Sequence, residues 1–364
     1  MVKNIAAQTN DIQNTAFIFQ ELQTLSQRIK DTGGLPQDLH GRLMEMLQRL
    51  ERMAKIGHYA EEFDTLSRYI EVITSIPWKA ETEDKLDLEA TRKVLDKNHY
   101  GLDYVKERVL EYLSSVILLK KRGKNAFARS PILFLVGLQG IGKTTMAMSI
   151  AEALGRKFVR ISLGGLGSTL ELRGKSKAFP DAEPGQVIKA LIKTQVRNPL
   201  ILLDEIEKAA GEVGLRSDIM AVLLEILDPN QNTSFRDYYV DYPFDLSNVM
   251  FICSGNNTGT ISTALMDRME VIKMPSYTDQ EKVVIARDYL LSKIKEAAGL
   301  EEGELEFDPN LWPGIVRPFG FDTGIRSLGR TLESICRKVA KEIVDGKSKR
   351  VVITADNLKY YLPK

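Results

Sequence analysis

From Thr15 to about Ile76, apolar residues recur every three or four positions. Leu22, Leu25 and Ile29 form one stripe, and Leu43, Leu47, Leu50 and Ala54 a second with Met46 and Met53 beside it. Phe63, Leu66, Ile70 and Ile73 form a third. This spacing puts each set on one helix face, and Gly33-Gly34-Leu35-Pro36, Gly57 and Pro77 break the runs. Three amphipathic helices predict a bundle or long hairpin whose stripes pack inward. After Trp78 the run KAETEDKLDL is polar and acidic and reads as a linker. Helices are expected from about Leu88 to Leu95 and from Tyr104 to Leu119, followed by a basic, turn-rich connector, Lys120 to Ser130.

At Pro131 the period changes. Short apolar runs now alternate with helical stretches: strands at Pro131–Val136, Lys157–Ser162, Pro199–Glu205, Asn248–Ser254 and Val271–Met274, with helices at Lys143–Leu154 and about Gln186–Val196. Continuous apolar runs between helices predict a parallel sheet covered on both faces. From Thr278 the pattern is mostly helical, with one strand candidate at Val351–Thr354 and Thr354 as the N-cap of a last helix that closes a domain. The expected division is 1–78, 79–130, 131–276 and 277–364.

Composition narrows the class. The 364 residues are 43% hydrophobic and 27% charged, the balance of a soluble globular chain of two or three domains. Lys plus Arg number 50 against 49 for Asp plus Glu, so no global field draws the chain to nucleic acid or anionic lipid. Cys253, Cys336 and three histidines supply no material for a structural zinc site or a disulfide framework. No run reaches the ~20 apolar residues that span a bilayer, and the start has no signal-peptide core, so a cytoplasmic protein without a membrane partner is expected.

The chemistry concentrates after the first strand. Gly137-Leu138-Gln139-Gly140-Ile141-Gly142-Lys143-Thr144 fits G-x-x-x-x-G-K-[ST], set between a buried strand and a helix start. Small residues let backbone N–H groups cup phosphate, Lys143 can reach the outer phosphates, and Thr144 can ligate Mg²⁺; Thr145 follows in the same turn. About 60 residues on, a strand ends in Asp204 and Glu205, one acid suited to hold the metal and one to polarise an attacking water. The next strand ends in Asn256 and Asn257, where an amide can orient that water. Arg268 precedes the fifth strand, where an arginine would stabilise charge on a transferring phosphate.

LVGLQGIGKTT, FVRISLGG, ILLDEIEK, LLEILDPNQN, the Asn pair and LMDRMEVI together resemble the ATPase module of Lon proteases, which are AAA+ machines. The similarity runs from roughly residue 40 to the end, through SRYIEVITSIPW, HYGLDYVKERVLEYL and GIRSLGRTLESICRKVAK. It implies an AAA+ P-loop α/β domain with a preceding helical segment and a small helical C-terminal domain. It also implies ATP and Mg²⁺ as cofactors, Asn256 as a sensor, and Arg268 as a finger reaching the neighbouring subunit of a homo-hexamer. Arg326 would be a second sensor on the small domain, and His99, Tyr100 and Gly101 would lie near the adenine. Unfolded or damaged polypeptide would be gripped by pore loops, the first at Lys175–Gly185 with Phe179 as the aromatic, the second near Ala209 to Asp218.

Three departures stand out. Leu138 and Gln139 replace two prolines, Leu166–Thr169 replace a charged segment, and Pro180 follows Phe179 where the family has a small aliphatic residue. The family's serine–lysine peptidase motif is absent from these residues, so peptide-bond hydrolysis is not expected of them. Alternatives sharing the same phosphate chemistry are a stand-alone AAA+ ATPase remodelling protein or nucleic acid, and a scaffold that binds ATP without turnover. A nucleic-acid motor should show a basic, aromatic-studded surface, which the sequence does not advertise, so nucleic acid is not the favoured partner.

Overall fold

The computed structural model describes residues 18, 20–56, 60–123, 130–179, 181–209, 213–316 and 324–363. Five strands form the central sheet: β1 (Ile132–Val136), β2 (Phe158–Ser162), β3 (Leu200–Asp204), β4 (Met250–Gly255) and β5 (Met269–Lys273). All pairings are parallel and the order is β2-β3-β4-β1-β5. Alternate residues along each strand feed two cores, as the two-residue period of a strand requires. Phe134, Ile201, Leu203, Phe251 and Cys253 face one, and Leu133, Leu135, Leu200, Leu202 and Ile252 the other. The apolar runs are continuous because both faces are covered.

Helices α1 (residues 20–31), α2 (Gln37–Ile56) and α3 (Ala60–Ser75) contribute their predicted stripes to the first core. Tyr69 donates its hydroxyl to the Val240 carbonyl at 2.8 Å, Tyr242 donates to Asp38 at 2.7 Å, and the Trp78 ring lies 5.4 Å from Phe244. These contacts fix the helices to a short ribbon, Phe235–Arg236 with Pro243–Phe244, that the hydrophobic pattern did not disclose. The second core is covered by α4 (Leu88–Asn98), α5 (Asp103–Lys121) and α6 (Lys143–Leu154), and the first also by α7 (Gln186–Thr194) and α8 (Val213–Leu227).

The polar run after Trp78 is no loose tether. Thr82 exchanges two hydrogen bonds with Asn198, at 2.9 and 2.8 Å, and Lys85 N–H donates to the Leu154 carbonyl at 2.9 Å. Asp84 is buried against Arg156 at 2.7 Å. A polar sequence docks here because its hydrogen-bonding groups find partners on the domain surface.

Beyond the sheet, Thr278 and Glu281 form a capping box that starts α9 (Asp279–Val284). A π-helical stretch, Ile285–Leu290, leads into α10 (Leu291–Ala297). With α11 (Arg326–Val344) these form the lid and its separate core. The predicted strand β7 (Val351–Ile353) pairs in parallel with β6 (Leu305–Phe307), which the sequence concealed among acidic residues. The last helix starts at Leu358 with Asn357 as its N-cap, not Thr354. Asn357 instead accepts the Thr354 N–H at 2.8 Å, so the expected cap residue sits in the preceding turn.

Candidate active site

The site is built at the carboxyl edge of the sheet, where a parallel α/β fold leaves a crevice. After Val136 the chain turns through Gly137–Gly142, and Gly137 N–H donates to the Gly255 carbonyl at 3.1 Å. Gly142 caps α6 at φ 95°, a left-handed backbone that a side chain would strain. The first N–H groups of α6 have no helical acceptors, and the helix end carries partial positive charge.

Lys143 Nζ donates to the carbonyls of Gly137 and Leu138, at 2.5 and 2.9 Å, and to Oδ1 of Asn256 at 3.0 Å. Burial holds its pKa below the usual lysine value against the opposing pull of Asp204, Glu207 and Glu205. Asp204 is buried at the end of β3. Its Oδ1 accepts the Ser254 hydroxyl and the Glu205 N–H, and its Oδ2 accepts Arg160 Nε at 2.6 Å. Glu205 lies at φ 59°, uncommon for a glutamate, and its carboxylate accepts Lys208 Nζ at 2.7 Å. Asn256 Nδ2 donates to Glu207 at 2.7 Å.

A cavity of about 610 Å³ is walled by Gln139, Gly140, Gly142, Lys143, Thr144, Thr145, Asp204, Glu205, Asn256 and Arg326. Arg326 arrives from α11 of the lid, anchored because Ile325 N–H donates to the Gly140 carbonyl at 2.9 Å. Ile141 is buried below, its carbonyl accepting the Tyr277 hydroxyl at 3.2 Å, while Leu138 is about half exposed. A second cavity of about 250 Å³ shares Gly142, Thr145, Leu290 and Ile325 with the first and is walled by His99 and Tyr100. His99 meets the Ser149 hydroxyl at 3.0 Å, and burial, helped by the Lys106 charge, pushes its pKa down to about 4. Gly101 sits beyond this wall at φ 60°.

Arg268 is not brought to the cavity; it pairs with Asp228 at 2.8 Å. Asn257 accepts the Gly259 N–H in a turn. Phe179 is 53% exposed with Lys175 Nζ 5.1 Å from its ring centre, clear of both cavities. Pro180 lies outside the described residues, as does part of the second expected pore loop, residues 210–212.

Sequence reasoning missed Arg160, Glu207, Ser254 and Tyr277. Arg160 lies two residues before Ser162, the register partner of Asp204, so strand alternation places it on that face, but the register itself is not written in the sequence. Glu207 was simply the third acid in DEIEK, and nothing in the letters showed its burial.

The donor set suits magnesium nucleotide. Thr144 and Asp204 bring hard oxygens to one cavity, and among the described residues no group of three or more His, Cys, Asp or Glu is arranged to hold a metal ion by itself. Mg²⁺ is commonly held this way, by one or two protein oxygens with the rest from phosphate and water.

Residues 133–276 match the ATPase family associated with various cellular activities (AAA), and residues 296–352 match the Lon protease AAA+ ATPase lid domain. Lon protease 1 of Bacillus subtilis (strain 168) is 42% identical over 344 residues, covering 94% of this chain and 43% of that protein. The chain is a Lon-family AAA+ module. Lon protease 4 of Sorangium cellulosum (strain So ce56) is 43% identical over 347 residues, 94% of this chain and 42% of that protein. The Lon-family module thus spans less than half the length of these relatives. Its AAA match contains the phosphate loop, Asp204, Glu205 and Asn256, and its lid match contains Arg326. Among the described residues no helix is long and apolar enough to cross a membrane.

Proposed function

We propose that this chain is the ATP-hydrolysing motor of a Lon-like ATP-dependent protease, unfolding and translocating polypeptide in the cytoplasm as a homo-hexamer. One observation carries the reading: Lys143, Thr144, Asp204, Glu205, Asn256 and Arg326, contributed by the phosphate loop, two strand ends and the lid, wall a single cavity. In this reading Lys143 and the α6 N–H groups bind the outer phosphates, and Thr144 and Asp204 hold Mg²⁺. Bound MgATP supplies the phosphoryl group and the metal charge that offsets its oxygens. Glu205 takes the proton of the attacking water and Asn256 orients that water. Arg326 ties phosphate state to lid position, because it rides on α11 while its neighbour Ile325 grips Gly140. His99 and Tyr100 border the base, with Gly101 shaping the turn behind them.

Arg268 is assigned to a neighbouring subunit's nucleotide, which its distance from the chain's own cavity supports. Phe179, in the Lys175–Gly185 loop with Pro180, is assigned to polypeptide. In this reading the functional divisions of the chain fall at 78, 130 and 276. The test is ATP turnover by the purified chain and its loss in Glu205→Gln; full turnover in that variant overturns the assignment of the general base.

A further inference from the structure

Behind Asn256 lies a buried acid that the scheme above leaves idle. Glu207 is 7% exposed, and its Oε1 accepts Asn256 Nδ2 at 2.7 Å. Its Oε2 is fully buried with no hydrogen-bond partner. An acceptor left without a donor is costly, so this carboxylate stabilises the fold less than an apolar core residue of its size would. The backbone makes room for it. A side chain at Gly255 would place a Cβ 2.8 Å from Glu207 Oε2 and 3.1 Å from the Phe134 ring. The Thr260 hydroxyl holds the segment from the other side, donating to the Glu207 carbonyl at 3.0 Å.

The chemistry of the two neighbours fixes the amide. Lys143 offers only donors and the Glu207 carboxylate only acceptors, so Asn256 has one way to lie. Its NH₂ faces Glu207 and its carbonyl oxygen faces Lys143, at 3.0 Å. Without Glu207 the nitrogen side has no fixed partner, and the amide can rotate its NH₂ toward the phosphate-binding wall. We infer that Glu207 is a positioning residue which, through its bond to Asn256, holds the carbonyl oxygen of that amide toward the cavity, so that Asn256 meets the attacking water as an acceptor. The inference deepens the ATPase reading and rests on it.

The test compares Glu207→Gln, Asn256→Asp and the double variant in steady-state ATP turnover, with fluorescent-nucleotide titration as the binding readout. In Glu207→Gln the new side chain matches either face of the amide. Turnover should fall about 10- to 100-fold, the worth of one charged hydrogen bond, while nucleotide affinity stays within about twofold. A purely structural role would move affinity and melting temperature as well. In the double variant the amide introduced at position 207 can donate to the new carboxylate at position 256, whose other oxygen again faces Lys143. Turnover about threefold or more above the Glu207→Gln level is the expected recovery, a modest gain because a second negative group now faces phosphate. Gly255→Ala, which displaces Glu207 by contact alone, should mimic Glu207→Gln. Turnover of Glu207→Gln within about twofold of the unaltered chain, or a double variant less than about threefold above Glu207→Gln, overturns the inference. Absence of turnover in the unaltered chain is a different result, and it overturns the ATPase reading itself.

Discussion

Arg268 Nη2 lies 2.8 Å from Asp228 Oδ2 at the amino end of β5, while the nucleotide cavity opens at the carboxyl ends of the strands. The Arg268 carbonyl accepts the Ile132 N–H, so the full length of β1, roughly 16 Å at strand rise, separates the arginine from the phosphate loop. An arginine placed there is out of reach of its own chain's cavity, which is what the proposed role at a neighbouring subunit requires.

Arg268→Ala should therefore bind nucleotide within about twofold of the unaltered chain and lose turnover by about 10³-fold or more. Mixing it with Lys143→Ala chains is the sharper measurement. Those chains lack Lys143 but keep Arg268, so the mixture should regain turnover that neither variant has. A mixture as silent as its components would count against a finger working between subunits.

Lys143 holds two loop carbonyls and the Asn256 oxygen, and all three contacts must loosen for it to meet phosphate. Lys143→Ala should weaken nucleotide capture about 10- to 100-fold, measured by titration with a fluorescent analogue. Lys143→Arg should not restore it, because a planar fork cannot sit where a compact ammonium donates to three converging oxygens.

His99 sets a pH dependence. Its pKa falls from 6.5 to about 4 on folding, chiefly through burial. Above the unfolded value both states hold it neutral and it contributes no slope. As pH drops toward the folded value, the unfolded chain takes up a proton that the folded one refuses, and stability is lost. The loss approaches roughly 3 kcal/mol at the acid end. Urea denaturation at pH 7, 6 and 5 should show the decline, and His99→Gln should flatten it.

Asp84 and Arg156 are 5% and 2% exposed, so water cannot stand in for whichever of the two is removed. Burial alone would raise the Asp84 pKa, but Arg156 and Lys120 outweigh it and hold the carboxyl low. Arg156→Met should cost about 3 kcal/mol in urea denaturation, because it leaves a buried charge with only the half-exposed Lys120. Asp84→Asn combined with Arg156→Met should cost less than Arg156→Met alone.

The five strands and the phosphate loop were legible because local rules suffice for them. A doubly covered strand must be a continuous apolar run, and a phosphate turn must be small before Lys143. Glu207 and Arg160 were illegible for the opposite reason: their roles arise from residues some 40 to 50 positions away meeting across the sheet. The LEF strand at Leu305–Phe307 escaped because it is three residues long and flanked by acids, so only its partner β7 identifies it. The linker misled because polarity signals exposure only when no acceptor waits, and Asn198 and the Leu154 carbonyl were waiting.

The front helices and the ribbon at residues 235–244 close along one seam, with Tyr69 on Val240, Asp38 on Tyr242 and Trp78 on Phe244. Half of each contact belongs to the opening segment and half to the ribbon, 171 or more positions later for Tyr69 and Asp38. Recombination that traded only the opening helices between relatives would leave every one of those halves mismatched. The heritable unit is therefore the helices together with the ribbon, and it straddles the point at which the ATPase domain begins.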